Sequence, residues 1–473
     1  MILAIDQGTS GTTCLVVDGS LKVLGRGYAE LAQHFPQPGW VEHDPEEIWQ
    51  SVLQAAVVAL DNARIGAGDL RAIGVTNQRE TAVLWDRRTG RPVHRAIVWQ
   101  DGRTAEACRA LPAELLRERT GLMPSPYFSA TKVRWLLDHA GRDPAELMFG
   151  TVDSWLVWRL TGGAEHLTDR TNASRTLLCG LASLEWDDEL LDLFGVPHEV
   201  LPRIVPSTGV VAEATLLGAT VPVAGIAGDQ QAALAGQACF APGDAKVTYG
   251  PGSFLLVHDG DRPGAPPDGL LRSAAAPAGY ALEGSVFVAG AAVQWLRDGL
   301  GLLASAADAE DLARSLAGND GVYFVPALTG LGAPHWDPQA RGLVCGLDRG
   351  TGRAHLVRAA LEAIAYQVRD VVAAVPGGVG RLRADGGAAA NGFLMQFQAD
   401  VLGQPVEVAS GVEMTALGAA ALAGLGTGVW RDTAEVAAVW RPSARYEPRI
   451  APSEREALLE GWRSALARTL LTS

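Results

Sequence analysis

The chain has 473 residues and a mean hydropathy of +0.11, which suit a globular protein of two or three domains, each with its own core. A net charge of −14, with lysine only at 22, 132 and 246, leaves no basic stripe for a nucleic acid; an anion would need backbone N–H groups, a metal and a few cations. Cys14, Cys108, Cys179, Cys239 and Cys345 form no CxxC pair and Met1 opens directly on a strand pattern, which points to reduced thiols in the cytoplasm and no leader peptide.

The first element, AIDQGTSGTTCLVVDG (4–19), is an apolar strand, a glycine/hydroxyl bend and a second apolar strand. A hairpin needs two such bend residues; Gly8, Thr9, Ser10, Gly11, Thr12 and Thr13 supply six, a cradle suited to an anion. DPEEIWQSVLQAAVVALDNA (44–63) reads as a helix with Asp44 as cap and Pro45 at the first position. That accounts for most of the acidic group His43, Asp44, Glu46 and Glu47 without a metal. RAIGVTNQRE (71–80) and RAIVWQDGR (95–103) read as strands ending in polar clusters. Strands alternating with helices give an α/β fold. GIAGDQQAAL (225–234) places Asp229 at the mouth of a helix, and Pro242 and Gly243 then break the pattern.

TYGPGSFLLVHDG (248–260) repeats the opening design about 240 residues later, CLVVDG being matched by LLVHDG. Two domains of similar fold around a cleft follow, divided as 1–238 and 239–473. The stretch from Ala274 to Leu296 carries Glu283, Gln294 and several glycines, so no membrane span is expected. AGAAVQWLRD (289–298) and DGGAAANGFLMQF (385–397) are further glycine turns feeding helices, a geometry that aims N–H groups at phosphates. There is neither a Walker A sequence nor a GxGxxG after a strand.

YFSATKVRWLLDH (127–139) and GLVCGLDRGTGRAHLVRAALE (342–362), with PGWVEHDPEEIW, GVTNQRETAVLW, DRTNASRTLL, GIAGDQQAA and ANGFLMQFQAD, resemble the FGGY carbohydrate kinase family over residues 1–445. The resemblance implies two actin-like (ribonuclease H-like) domains facing across a catalytic cleft, and ATP-dependent phosphorylation of glycerol. It places Arg79, Glu80, Trp99, Tyr127, Asp229, Gln230 and Phe254 at the polyol. Asp6, Thr9, Ser10, Gly11 and Thr12 would form a first phosphate clip, Gly250 and Pro251 a second, with Gly290, Gln294, Gly387 and Asn391 on the nucleotide. Asp6 would anchor Mg²⁺ through water. A homodimer or homotetramer is implied, with no nucleic-acid partner.

The chemistry of these residue types agrees. Arg79 only donates and an ionised Glu80 only accepts, so the pair reads hydroxyls with both polarities, and both reach one ligand only where a strand ends. Trp99 and Phe254 would cover C–H faces. Asp229 would take the proton of the attacking hydroxyl; a helix cap is its competing reading. Two departures from the family stand out: Thr13 replaces a common arginine, and Pro251 replaces a threonine. They keep a nucleotide-weak, non-catalytic relative in view, beside a kinase for another small polyol or ketose. AEATLLGATVP (212–222) lacks the cation with which some relatives bind fructose 1,6-bisphosphate, so that control is not expected.

Overall fold

The structure, a computed structural model, describes residues 1–411 and 413–471. Strands β1 (Ile2–Gln7) and β2 (Gly11–Val17) are covered on both faces, which is why they read as aliphatic runs rather than alternations. β3 (Val23–Glu30), at the sheet edge, does alternate. Helix α1 (Pro45–Ala63) starts as its sequence predicts: the Asp44 carboxylate accepts from the Glu46 N–H at 2.9 Å. Next come β4 (Ala72–Asn77), α2 (Ser129–Ala140), β5 (Thr208–Leu216), β6 (Ala219–Gly228) and α3 (Asp229–Gly236). The first sheet has the order β5-β6-β4-β1-β2-β3.

The second sheet is built from β7 (Asp244–Tyr249), β8 (Ser253–Gly260), β9 (Leu271–Ala274) and β10 (Tyr280–Val286). Helices α4 (Gly290–Asp298) and α5 (Arg353–Ala373) lead to β11 (Arg381–Asp385), α6 (Gly392–Leu402), β12 (Val406–Ala409), α7 (Met414–Gly426) and β13 (Pro442–Tyr446). Its order is β9-β10-β8-β7-β11-β12-β13. Reversed, β13-β12-β11-β7-β8-β10 repeats the first sheet strand for strand, with the same parallel and antiparallel pairings. The sequence echo is therefore a duplicated hairpin, β1–β2 and β7–β8, at the same place in two sheets.

Helices α3 and α7 follow equivalent strands and cross with their backbones in contact. A Cβ on Gly418 would lie 1.8 Å from the Ala232 carbonyl oxygen, and one on Gly236 2.0 Å from that of Met414. Only glycine allows this approach. α7 also buries its alanines against Ile2, Ala4, Leu15 and Val17 of the first sheet, although it belongs to the second half of the chain.

The expected strand over 95–103 shrinks to Ala96–Ile97. Asp101 accepts from the N–H groups of Val41 and Arg103, at 2.6 and 2.9 Å, and draws the segment into a turn. Among the described residues no helix is long and apolar enough to cross a membrane. All five cysteines are free.

Candidate active site

β4 ends at Asn77, and Glu80 takes a left-handed φ of 62°, which a non-glycine residue holds only when its surroundings impose it. The turn sends the Arg79 and Glu80 side chains into one buried space. Arg79 NH1 donates to Glu283 Oε2 at 2.9 Å and Gln231 Oε1 at 3.1 Å, while its Nε faces Asp229 Oδ1 at 3.2 Å. Arg175 closes a square of charges: its Nε donates to Glu80 Oε1 at 2.6 Å and NH1 lies 3.2 Å from Glu283 Oε2. Two cations and two anions, all nearly inaccessible, neutralise one another where water cannot. Burial pushes the Glu80 carboxyl up against the pull of both arginines, whereas at Glu283 the arginines and Ser273 outweigh burial and hold it below the usual range.

The expected Arg–Glu pair is thus half of a larger network. Arg175 sits in the motif DRTNASRTLL, but nothing local marks it out, because its partners lie 95 and more residues away. Glu283 and Gln231 were equally hidden.

Trp99 and Tyr127 meet edge to face with centroids 5.6 Å apart, and the Arg175 guanidinium stands 5.2 Å from the Tyr127 ring. The Tyr127 loop is held from α2: Lys132 Nζ donates to the carbonyls of Pro126, Tyr127 and Phe128 at 2.8, 2.6 and 3.1 Å. Burial lowers the Lys132 pKa to about 7, against Glu80 and Asp101. A lone lysine inside an apolar helix pattern was the available signal. Phe254 pairs with Thr248 across β7–β8; among the described residues it shares no ring contact with Trp99 or Tyr127.

Asp229 is the first residue of α3, and Gly228 is the cap, its N–H donating to Thr171 Oγ1 at 2.8 Å. The capping reading of Asp229 therefore fails. One carboxylate oxygen accepts from the Gln230 N–H at 2.7 Å, and the side chain stays 31% exposed beside an Arg79 that is 2% exposed. Asp6, at the end of β1, is pushed well above the usual carboxylate range by burial and then by the charges of Asp229 and Glu413. Such a carboxylate is relieved by a cation, so Asp6 fits Mg²⁺. Among the described residues no group of three metal-ligating side chains forms, so the ion would take this one carboxylate plus water and phosphate oxygens.

The first clip is closed by Gly8 N–H to the Gly11 carbonyl at 2.9 Å. Thr9 Oγ1 accepts from Trp99 Nε1 at 2.9 Å, which joins the clip to the aromatic wall, and Ser10 is exposed. Gly11 lies under Tyr28, and the Thr12 hydroxyl turns inward to Ser51 on α1 at 2.7 Å. The Thr12 hydroxyl is therefore spent on the core rather than presented by the clip.

The second clip differs from expectation too. The N–H groups of Gly290 and Ala291, at the start of α4, donate to the carbonyls of Gly250 and Pro251, each at 3.0 Å. The helix start satisfies its orphan donors on the clip, so the Gly290 N–H is not presented to a phosphate. Pro251 and Gln294 are exposed. At the third turn, Gly386 has φ 89°, and a Cβ there would strike the Tyr249 backbone, whereas one on Gly387 would meet nothing within 4 Å. A face kept clear suits a nucleotide. Asn391 caps α6 through its carbonyl oxygen, 2.9 Å from the Leu394 N–H, and among the described residues its amide N–H groups are left to give.

Residues 1–236 match the amino-terminal domain of the FGGY family of carbohydrate kinases, and residues 245–427 match its carboxy-terminal domain. The chain is 54% identical to a glycerol kinase of Leptothrix cholodnii, covering 99% of both chains, and 50% identical to glycerol kinase 2 of Thermotoga maritima, covering 99% and 98%. Its structure superposes on that of Plasmodium falciparum glycerol kinase with ADP with a TM-score of 0.93 at 34% identity, over 99% of this chain and 98% of that one. A xylulose kinase from Rhodospirillum rubrum gives 0.86 at 27% identity, over 98% and 97%.

Proposed function

The chain belongs to the FGGY family of carbohydrate kinases, and from that premise we propose that it transfers the γ-phosphoryl group of ATP to glycerol, giving ADP and sn-glycerol 3-phosphate. The observation that carries the reading is the setting of Asp229. Its carboxylate is the accessible member of a buried charge network, and it acts electrostatically on Asp6 beside the first clip. Polyol clamp and phosphate clip thereby meet at one proton acceptor.

In this reading Trp99, Tyr127 and Phe254 cover the C–H side of glycerol, and Arg79, Glu80 and Gln230 take its hydroxyls. Asp229 accepts the proton of the hydroxyl that attacks the γ-phosphorus. The bond from that phosphorus to the β-bridging oxygen breaks, and ADP leaves with the electron pair. The turns at Thr9–Ser10, Gly250–Pro251 and Gly387, with Asn391, receive the nucleotide. Mg²⁺ bound near Asp6 supplies charge neutralisation at the phosphates. Gln294 extends the nucleotide surface from α4. The reading takes the chain as two domains, 1–238 and 239–473, closing to exclude water, in a reducing cytoplasm that suits four buried free cysteines out of five.

ADP release coupled to a chromogenic readout, with and without glycerol and across a panel of small polyols and ketoses, tests it. Glycerol-dependent release, strongest in that panel, is expected. Release that ignores glycerol, or that prefers a ketose, would overturn the substrate assignment.

A further inference from the structure

Lys246 is a cation beside the site to which the transfer chemistry gives no role. It lies on β7, fully buried, opposite Leu256 and Arg383. Its Nζ donates to the Gln230 carboxamide oxygen and to Thr248 Oγ1, the latter at 2.9 Å. Thr248 bonds in turn to Asp385, whose other donor is Gln237 Nε2 at 2.7 Å. One ammonium therefore fastens three elements. Gln230 is in the first turn of α3, next to Asp229. Thr248 precedes Gly250 by two residues on β7. Asp385 ends β11, two residues before Gly387.

A buried lysine is costly, and an apolar side chain of the same length would fill the space without that cost. The groups facing Lys246 are Asp385 from β11, Asp229 from α3, Arg79 from the turn after β4, and Glu283 from β10. Arg383, its neighbour across β11, is turned away to the Gln237 carbonyl and Glu407. The charge thus serves the two aspartates on either side, one at the base and one at the root of a nucleotide-facing turn.

We propose that Lys246 is a positioning residue for phosphoryl transfer, holding Gln230 and the adjoining Asp229 in register with the Gly250 and Gly387 turns. The proposal rests on the kinase reading above. It carries a linkage: an anion settling on those turns favours the charged form of the ammonium that ties them together. Burial, offset by Asp385 and Asp229, lowers the pKa of Lys246 to about 8. Nucleotide affinity in the free enzyme should therefore decline as pH rises through that value, and nucleotide should move the titration upward.

With three lysines in the chain, ε-¹³C-lysine labelling gives three resonances, and Lys246→Met identifies one of them. That resonance should titrate near pH 8 in the full-length protein and shift to higher pH on adding ADP and Mg²⁺. In Lys246→Met, kcat should drop by about tenfold or more, the glycerol KM should rise less than kcat falls as Gln230 loses its anchor, and the alkaline limb of kcat/KM for ATP should vanish. Thr248→Val, which cuts the leg to Asp385 and keeps the lysine, should lower kcat in the same direction and serves if Lys246→Met does not fold. A folded Lys246→Met with unaltered kcat and alkaline limb, or a Lys246 resonance indifferent to ADP in an active enzyme, would overturn the proposal. Failure of the unaltered protein to turn over glycerol would instead defeat the functional reading, and the ADP titration would still decide the role of Lys246.

Discussion

The two hairpin turns occupy equivalent places in duplicated sheets, yet they are held and equipped differently. The β1–β2 turn carries Thr9 and Ser10 behind Asp6 and is tied by a side chain, the Trp99 indole. The β7–β8 turn carries Pro251 between two glycines and is tied by its own carbonyls to the start of α4. Duplication repeated the backbone and left the chemistry free to divide. The first half contributes Asp6, Asp229 and the hydroxyls of its turn. The second contributes backbone and, from its strands, buried charges that brace the first, among them Glu283 on β10, Lys246 on β7 and Asp385 on β11.

That bracing is the first thing to break. Arg175→Met leaves Glu80 with Arg79 alone at 3.9 Å and removes one of two guanidiniums from Glu283. Stripping a buried carboxylate of its partner typically costs about 3–5 kcal/mol, so urea unfolding should show a loss of that size. The loss should shrink at lower pH, where Glu80 can take a proton instead. A variant as stable as the unaltered protein would mean that the square does not join the halves.

Asp229→Asn is the next largest. It keeps the shape and removes the proton acceptor, so kcat should fall at least about 10²-fold, with the glycerol KM changing far less. A variant that retains most of its kcat would move the base elsewhere in the network.

Much of the first half was legible in the sequence because its signals are local. The Asp44 cap, the end of β4 before Arg79 and the bend at 8–13 each depend on neighbours within a few residues. The duplicated hairpin was legible because both copies carry the same aliphatic run and Asp-Gly ending. What brings the halves together was not. Arg79 meets Glu283 from 204 residues away, and Gln237 meets Asp385 from 148. No spacing rule reaches that far. The free N–H groups expected at Gly290 failed for a related reason: a tertiary neighbour, the second clip, reached them first.

The buried aspartates of the two halves are partnered differently. Behind Asp229, Asp153 accepts from Thr168 at 2.8 Å and from the Asp169 N–H at 3.2 Å, and Asp169 binds Thr171, which receives the Gly228 N–H. This is acid beside acid, where Asp385 in the second half has Lys246. Burial, and then Asp169, raise the Asp153 pKa to about 7. The sign follows: between the unfolded value of about 3.9 and 7 the folded state holds the extra proton, so this stabilising contribution is full at low pH and is lost as pH rises to 7. The slope is at most about 1.4 kcal/mol per pH unit for one proton. Asp153→Asn should flatten the stability profile over that window; an unchanged profile would assign the slope to other groups.

The smallest effect bears directly on the comparison of the turns. Pro251 has no N–H and no hydroxyl, but its carbonyl accepts from the N–H groups of Ala289 and Ala291 at 2.8 and 3.0 Å. Those two bonds use only the backbone oxygen, so a threonine would keep them. It would add a hydroxyl and an N–H at an exposed position, and if the turn receives a phosphate as proposed, a hydrogen bond to that charged group contributes about 1.5–3 kcal/mol. Losing the proline ring costs about 0.4–1 kcal/mol of stability through the unfolded chain, because the turn is no longer preset. The contact is the larger quantity. Pro251→Thr should therefore lower the KM for ATP by about tenfold, leave that for glycerol nearly unchanged, and slightly lower the melting temperature. Weaker ATP binding in the variant would show that the second turn works through the rigidity of Gly250-Pro251-Gly252 rather than through donors, and that the two turns have diverged in principle as well as in residues.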